Sequence, residues 1–338
     1  MEKYHFNRII YGFFSYILLG DIVIKRFTIK RIIMSSAVLF ALLLLCLIPN
    51  KELKIEEKVK YIENDNLKTV IYLLDNHNYL ARTTVAISNI EIEKKAKDLL
   101  NILIKDSSGE SKVPNGFKSI IPSNTEIKSL ELVNDIIKVN FSKELLDVSE
   151  EYEEKVIEAI VYTLTSIEGV NKVIIYVDGD VLSKLPKTKI NLPSTLDKSY
   201  GINKEYNISS FKNINSVTVY YVSKFNDDTY YVPVTKYMND DREKIKIIIE
   251  ELASAPLYNT GLMSYLNSNI SLLASEQDVD TLSLVFDDYL FNDANSKNIL
   301  EEVIYSISLS VGDNYDVKEV IFEVNNEEIY KSVIKTIE

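Results

Sequence analysis

The sequence predicts an α+β protein: an N-terminal transmembrane helix followed by two similar domains, each a sheet packed with helices. Three observations carry that expectation. A run without a single charge extends from Ile32 to Ile48, with basic residues just upstream. A helical stripe, Val156, Ile157, Ile160, Val161 and Leu164, returns at a constant displacement of 143 as Ile299, Leu300, Val303, Ile304 and Ile307. Each stripe leads past a short turn into an apolar strand, Lys172 to Val177 in one half and Glu319 to Val324 in the other.

The uncharged run reaches roughly 25 Å as a helix at ~1.5 Å per residue, close to the ~30 Å of bilayer hydrocarbon. Lys25, Arg26, Lys30 and Arg31 precede it, whereas its downstream flank mixes Lys51, Glu52, Lys54, Glu56 and Glu57. The positive-inside rule therefore leaves the chain from residue 50 onward outside the cytoplasm. Charge agrees: residues 1 to 49 carry +4, leaving −16 for the remainder. No Ala-x-Ala triplet follows the run, which favours an uncleaved anchor over a signal peptide. A third fate is lipidation at Cys46, although the bulky Leu45 before it departs from the small residues of bacterial lipoprotein sites. Residues 9 to 24 are apolar apart from Asp21 and leave open a second membrane-touching segment or an upstream start codon. These readings divide the chain into a basic cytoplasmic tail (1–31), a transmembrane or signal anchor (32–48) and a juxtamembrane spacer (50–65).

The first repeat occupies 66–183. It opens with a hairpin, Lys68 to Leu74 and Leu80 to Ile87, around the turn-forming Asp75-Asn76-His77-Asn78. A helix follows from about Ile90 to Ile104, with Ile92, Ala96, Leu99, Leu100 and Leu103 on one stripe. Gly109, Pro114, Gly116 and Pro122 mark a long loop, and antiparallel strands Glu126 to Leu132 and Ile136 to Phe141 meet across Asn134-Asp135. The second repeat, 214–335, shows the matching strands Thr218 to Val222 and Thr281 to Phe286. Between the repeats, 184–213 is polar, contains Pro186, Pro193 and Gly201, and reads by default as a hinge between autonomous copies, with an extended arm over the first domain as the alternative.

Composition removes many functions. The 338 residues hold 38 Lys and Arg against 50 Asp and Glu, a net charge of −12 that repels phosphate backbones and argues against nucleic-acid binding. One Cys and two His exclude a disulfide framework and the usual four-ligand N/S zinc site. No cofactor is expected. Paired acids are the only titratable chemistry: Asp178 with Asp180, Asp227 with Asp228, Asp240 with Asp241, Asp278 with Asp280, and Asp287 with Asp288. Neighbouring carboxylates in a strand face opposite sides, so they suit turns and caps better than acid–base catalysis, and no twelve-residue calcium loop surrounds them. No catalytic or metal-ligating residue is assigned, and His77 reads as a solvated turn residue. The chain has 22 Tyr and no Trp. Tyr220, Tyr221, Tyr230, Tyr231 and Tyr237 cluster in the second hairpin and are a candidate protein-contact patch, with some members facing the core.

Four blocks together resemble a known family. Lys118-Ser119-Ile120-Ile121-Pro122-Ser123-Asn124-Thr125, Ile137-Lys138-Val139-Asn140-Phe141-Ser142, Ala159-Ile160-Val161-Tyr162-Thr163-Leu164-Thr165, and Gly169-Val170 leading through Lys172-Val173 to Val177-Asp178-Gly179 have the order and spacing of the GerM (GerMN) domain of spore-forming Gram-positive bacteria. The second copy keeps Leu284-Val285-Phe286-Asp287 and Glu302-Val303-Ile304-Tyr305-Ser306 but carries Asn325-Asn326 in place of the Asp-Gly turn. The resemblance implies a membrane-attached, non-enzymatic protein of sporulation and germination, with a fold resembling the ring-building modules of secretion-type channels. It implies other sporulation envelope proteins as partners, contact with peptidoglycan, and oligomer formation. The rival expectation is an envelope protein outside sporulation that binds or modifies peptidoglycan.

Overall fold

The computed structural model describes residues 68–254, 260–293 and 297–334, together with Met34. The tail, the transmembrane or anchor segment with Cys46, and the spacer lie outside the described residues. No helix among those described is long and apolar enough to cross a membrane.

Each copy contributes a hairpin, a helix, a four-stranded sheet and a second helix. In the first copy these are β1 (Lys68–Asp75) and β2 (Leu80–Ala86), α1 (Ile92–Leu103), the short β3 (Phe117–Lys118), β4 (Ile127–Val133), β5 (Ile136–Phe141), α2 (Glu150–Leu164), β6 (Lys172–Val177) and β7 (Asp180–Val181). The second copy repeats the order after β8 (Glu205–Asn207): β9 (Asn215–Phe225), β10 (Asp228–Met238), α3 (Lys244–Ser254), β11 (Leu272–Asp278), β12 (Thr281–Phe286), α4 (Glu301–Asn314), β13 (Glu319–Val324) and β14 (Glu327–Val333). The sheets β4-β5-β6-β7 and β11-β12-β13-β14 share one topology, with a parallel pair joined through α2 or α4 at the centre. The α+β reading is met in both halves.

Alternation sets the faces. In β5, Ile137, Val139 and Phe141 are buried while Ile136, Lys138 and Asn140 are half-exposed, and β12 repeats this with Leu282, Leu284 and Phe286 inward. The last hairpin of each sheet turns on two residues at positive φ, Asp178-Gly179 in one copy and Asn325-Asn326 in the other. Asn tolerates that region nearly as Gly does, so the exchange preserves the turn. At the β11–β12 turn, Val279 has φ 48° where the first copy has Asn134 at 59°. A β-branched residue is strained there. Val279 is 80% exposed and has little packing to lose. Val279→Asn is therefore expected to stabilise the fold by about 1 kcal/mol, read as a raised Tm.

The copies are not autonomous. Their hairpins merge into one six-stranded sheet in the order β3-β1-β2-β10-β8, with β9 on the far side of β10. The segment 184–213, expected as a hinge, is an ordered strap whose Leu185, Leu192, Leu196 and Ile202 are buried against the first core. This strap covers the side of α2 that would otherwise face water, which is why every residue from Val156 to Leu164 is buried. Residues 64–338 form one compact unit. Two larger cores lie within the copies, and a small third one, Tyr220, Val222, Tyr231 and Leu309, sits at the junction.

Candidate functional site at the domain junction

β10 has to close its second edge against two different partners. Tyr231 pairs with Arg82 of β2, while Lys236, Tyr237 and Met238 pair in parallel with Glu205, Tyr206 and Asn207 of β8. Between them stands Pro233, which has no N–H to offer a ladder. The strap fills that gap. Asn203 Nδ2 donates to the carbonyls of Leu80 (2.8 Å) and Pro233 (2.7 Å), its Oδ1 accepts from Leu80 N (2.9 Å), and Ile202 O accepts from Thr235 N (2.9 Å). One buried amide thus replaces a strand across the two copies. Its φ of 46° is a conformation Asn accepts at low cost.

The free edges of β9 and β1 are closed by helix side chains. Asn314 of α4 both accepts from Thr218 N and donates to Thr218 O, and Ser310 Oγ accepts from Tyr220 N. Thr163 of α2 accepts from Tyr72 N in the first copy. Polar residues on buried helix faces here seal sheet edges that would otherwise invite pairing.

Beneath the sheet lies a tyrosine network. Tyr72 and Tyr220 share a hydrogen bond between their hydroxyls (2.8 Å), and Tyr220 OH donates to Asp313 Oδ2 (2.7 Å). Lys198 of the strap donates to Asp313 Oδ1 (2.6 Å), and Tyr162 OH donates to Lys198 O. Tyr72 and Tyr162 meet edge to face at 5.3 Å. Burial raises the pKa of all three hydroxyls, so they stay protonated as donors.

The predicted contact patch is therefore not outward-facing. Tyr220, Tyr221, Tyr230 and Tyr231 are all under 8% exposed. Tyr220 and Tyr231 pack on α4 and Tyr221 lies toward α3, its OH 3.4 Å from Glu251. Tyr230 OH donates to buried Asp75 in the first copy. Only Tyr237 reaches a groove, stacked on Tyr206 at 5.0 Å, with its hydroxyl donating to Tyr200 O. Tyr221 and Tyr231 are covered by helices of their own copy, and Tyr220 and Tyr230 reach the other copy through their hydroxyls. His77 is half-exposed, its N–H tied to Asp75. Four of the paired acids cap a turn or meet a cation: Asp178 binds Lys128, Asp240 binds Arg242, Asp280 binds Lys318, and Asp287 accepts from Tyr289 N. Among the described residues no three His, Cys, Asp or Glu converge as metal ligands.

Sequence reasoning missed two buried carboxylates on α2. Glu153 accepts from Lys187 N, Thr188 N and Thr188 Oγ1 of the strap; burial raises its carboxyl, but these donors outweigh that and hold it below its ordinary value. Glu158 accepts from Asn203 N and lies 3.5 Å from Lys204 Nζ; burial pushes it up to about 7, and Lys204 only partly offsets this. Lys204 also binds Glu154 (2.5 Å) and sits 3.4 Å from the centre of the Tyr200 ring. Glu154, Tyr200 and Lys204 line a groove of about 410 Å³ together with Tyr206, Tyr237, Asn191 and Asp197. The Glu158 shift has a definite sign. Between the ordinary carboxylate value and about 7, the folded chain holds a proton that the unfolded chain has released, so stability falls as pH rises through that window. Glu158→Gln is expected to flatten the slope, shrinking the difference in urea stability between pH 5 and pH 8 by on the order of 3 kcal/mol at most.

A family model described as Germane, sporulation and spore germination, matches residues 70–183 and again 218–330. The chain belongs to the Germane family. Both copies carry the match, so the domain is present twice. The spore germination protein GerM of Bacillus subtilis is 29% identical over 263 residues, covering 76% of this chain and 71% of that protein. The solved tandem GerMN domains of the sporulation protein GerM from Bacillus subtilis superpose with a TM-score of 0.71 at 27% identity, over 77% of this chain and 91% of that one. The resemblance carried by the four sequence blocks is thereby established, and the tandem Germane fold with it.

Proposed function

We propose that this Germane protein is a membrane-anchored, extracytoplasmic scaffold of sporulation or germination, an assembly module for complexes at the septum or between mother cell and forespore, and not an enzyme. The observation that carries this reading is the shared six-stranded sheet. It fixes two interaction modules in one orientation, a property useful for holding partners at a set spacing and irrelevant to single-site chemistry. The family's connection with sporulation and the basic flank before residue 32 support the cellular placement. A fluorescent fusion followed through spore formation tests it: septal labelling with onset at sporulation is expected, and a deletion strain should recover with the intact chain but not with either copy alone. Constitutive expression with uniform envelope labelling would overturn it.

One observation favours a second reading, a wall-binding envelope protein outside sporulation. Tyr206, 63% exposed and stacked on Tyr237, lies beside polar Asn191 and Asp197, an arrangement able to hold a sugar ring by its face and its hydroxyls. Co-sedimentation with purified peptidoglycan should then be lost in Tyr206→Ala; equal retention of both proteins rejects a glycan site in this groove.

A further inference from the structure

The duplication supplies an internal control for every surface, and one surface differs sharply between the copies. In each, a groove runs between the first helix and the outer edge of the four-stranded sheet. Lys97 of α1 and Ile127 of β4 line it in the first copy, and Lys246 of α3 and Leu272 of β11 line it in the second. The core residues Ala96, Leu99, Leu100 and Leu103 of α1 correspond to Ile245, Ile248, Ile249 and Leu252 of α3 at one displacement.

In the first copy the edge is plugged. Glu93 of α1 accepts a hydrogen bond from Leu132 N at 2.8 Å, on the side of β4 that faces away from β5, and the groove measures about 210 Å³. The same displacement brings Arg242 to the sequence position of Glu93, but α3 begins only at Lys244, so Arg242 precedes the helix rather than lying in its first turn. A guanidinium has no acceptor for a backbone N–H. It turns instead to Asp240 and Glu250. The register places Gln277 opposite Leu282 as Leu132 is opposite Ile137, and no side chain among the described residues caps its N–H. The second-copy groove, about 570 Å³, is shifted toward the end of α3 and the start of β11, where Ile249, Ala253, Ile270 and Leu272 give it an apolar lining.

The outer face beside this edge has also changed charge. Cross-strand rows place Glu276, Asp278, Glu319 and Glu323 there, with Glu319 joined to Lys331. The corresponding first-copy positions are Glu131, Val133, Lys172 and Tyr176. A strand laid along β11 would direct alternate side chains into the apolar groove and toward these carboxylates.

We propose that β11 is a strand-addition site for an extended segment of a partner protein in which apolar and basic residues alternate. The partner's backbone pairs with the outer edge of β11, its apolar side chains fill the groove against α3, and its cations meet Glu276 and Asp278. The proposal concerns a binding surface and holds whichever process the scaffold serves, so it stands apart from the septal-localisation test.

The full chain in detergent micelles is mixed with an acetylated, amidated octapeptide of alternating Val and Lys, and separately with its Val–Glu counterpart, while amide hydrogen exchange is followed. The Val–Lys peptide is expected to slow exchange of the outward β11 amides, Gln277 among them, at least tenfold, and the Val–Glu peptide to leave them unchanged. Gln277→Pro removes the donor without touching the β12 ladder and should weaken binding at least tenfold. Should that variant unfold, reversing the charge of the row with Glu276→Lys is expected to weaken binding likewise. Protection absent from β11, equal protection by the acidic peptide, or unchanged binding in both edge variants overturns the proposal. So does slow exchange at β11 in the free chain that disappears when residues 50–65 are deleted, because the occupant is then the chain's own spacer.

Discussion

Asn203→Ala is expected to destabilise the protein by about 3–5 kcal/mol, since it strips hydrogen-bond partners from buried groups that cost about 1–3 kcal/mol each when left bare. The amide serves Leu80 N, Leu80 O and Pro233 O at once, on both sides of the junction. Water has little access, because Asn203 is only 7% exposed. Alanine also fits poorly at φ 46°, where Asn is tolerated. The loss should show in the form of unfolding as well as its midpoint. Urea titration followed by far-UV circular dichroism is expected to give one transition for the intact chain and two for Asn203→Ala, because the sheet junction is then left with the Tyr231–Arg82 pairing, β8 and the Ile202–Thr235 hydrogen bonds. A single transition with an unshifted midpoint would show that the shared sheet does not couple the copies.

Asp313→Ala is the second large effect, expected at about 3 kcal/mol, within the range for breaking a buried charge pair by removing one partner. The Asp313 side chain is 5% exposed and accepts from both Tyr220 OH and Lys198 Nζ. Removing it leaves the Tyr220 hydroxyl only its bond to Tyr72, and Lys198 must turn toward solvent, which its 32% exposure permits. Asp313→Asn keeps an acceptor for the hydroxyl and should cost about 1 kcal/mol. A double-mutant cycle of Asp313→Ala with Lys198→Met, read by urea unfolding, is expected to show coupling of about 1 kcal/mol. Additivity within error would mean that the Lys198–Asp313 pair does not help to hold the strap.

Much of the architecture was legible. The period-2 pattern of Ile136 to Phe141 and of Thr281 to Phe286 matches β5 and β12 to the residue, and Lys172 to Val177 and Glu319 to Val324 match β6 and β13. The repeated stripe located α2 and α4, though α4 starts at Glu301, beyond the stripe's first two residues. Short strands escaped: β3, β7 and β8 carry too few residues to show a period, and each exists because a neighbouring strand offers an edge. The strap stood only as the alternative to a hinge for a related reason. Its buried residues, Leu185, Leu192, Leu196 and Ile202, follow no helical or strand spacing, because an irregular segment buries whichever side chains its path turns inward.

The tyrosine cluster shows where sequence reasoning reaches its limit. Alternation along β9 and β10 correctly demands that neighbours face opposite sides, and Tyr220 and Tyr221 do so. Whether a face meets solvent or another sheet depends on what packs there, and that is decided by contacts more than a hundred residues apart in sequence, such as Tyr72 with Tyr220. Glu158 illustrates the same point: on a helical stripe it reads as an ordinary surface carboxylate, and only Asn203 and Lys204 of the strap bury it.

By itself the sequence determined the repeated α+β unit, its turns and its family, because hydrophobic periodicity, turn-forming residues and motif spacing are local and survive divergence. The tertiary structure alone decided that the copies fuse through one sheet, that the intervening segment is a strap, and that Glu93 plugs one sheet edge while no described side chain caps its twin. Those outcomes depend on which backbone donors and acceptors find partners across the fold, and such pairing is a property of assembled edges that no local pattern encodes.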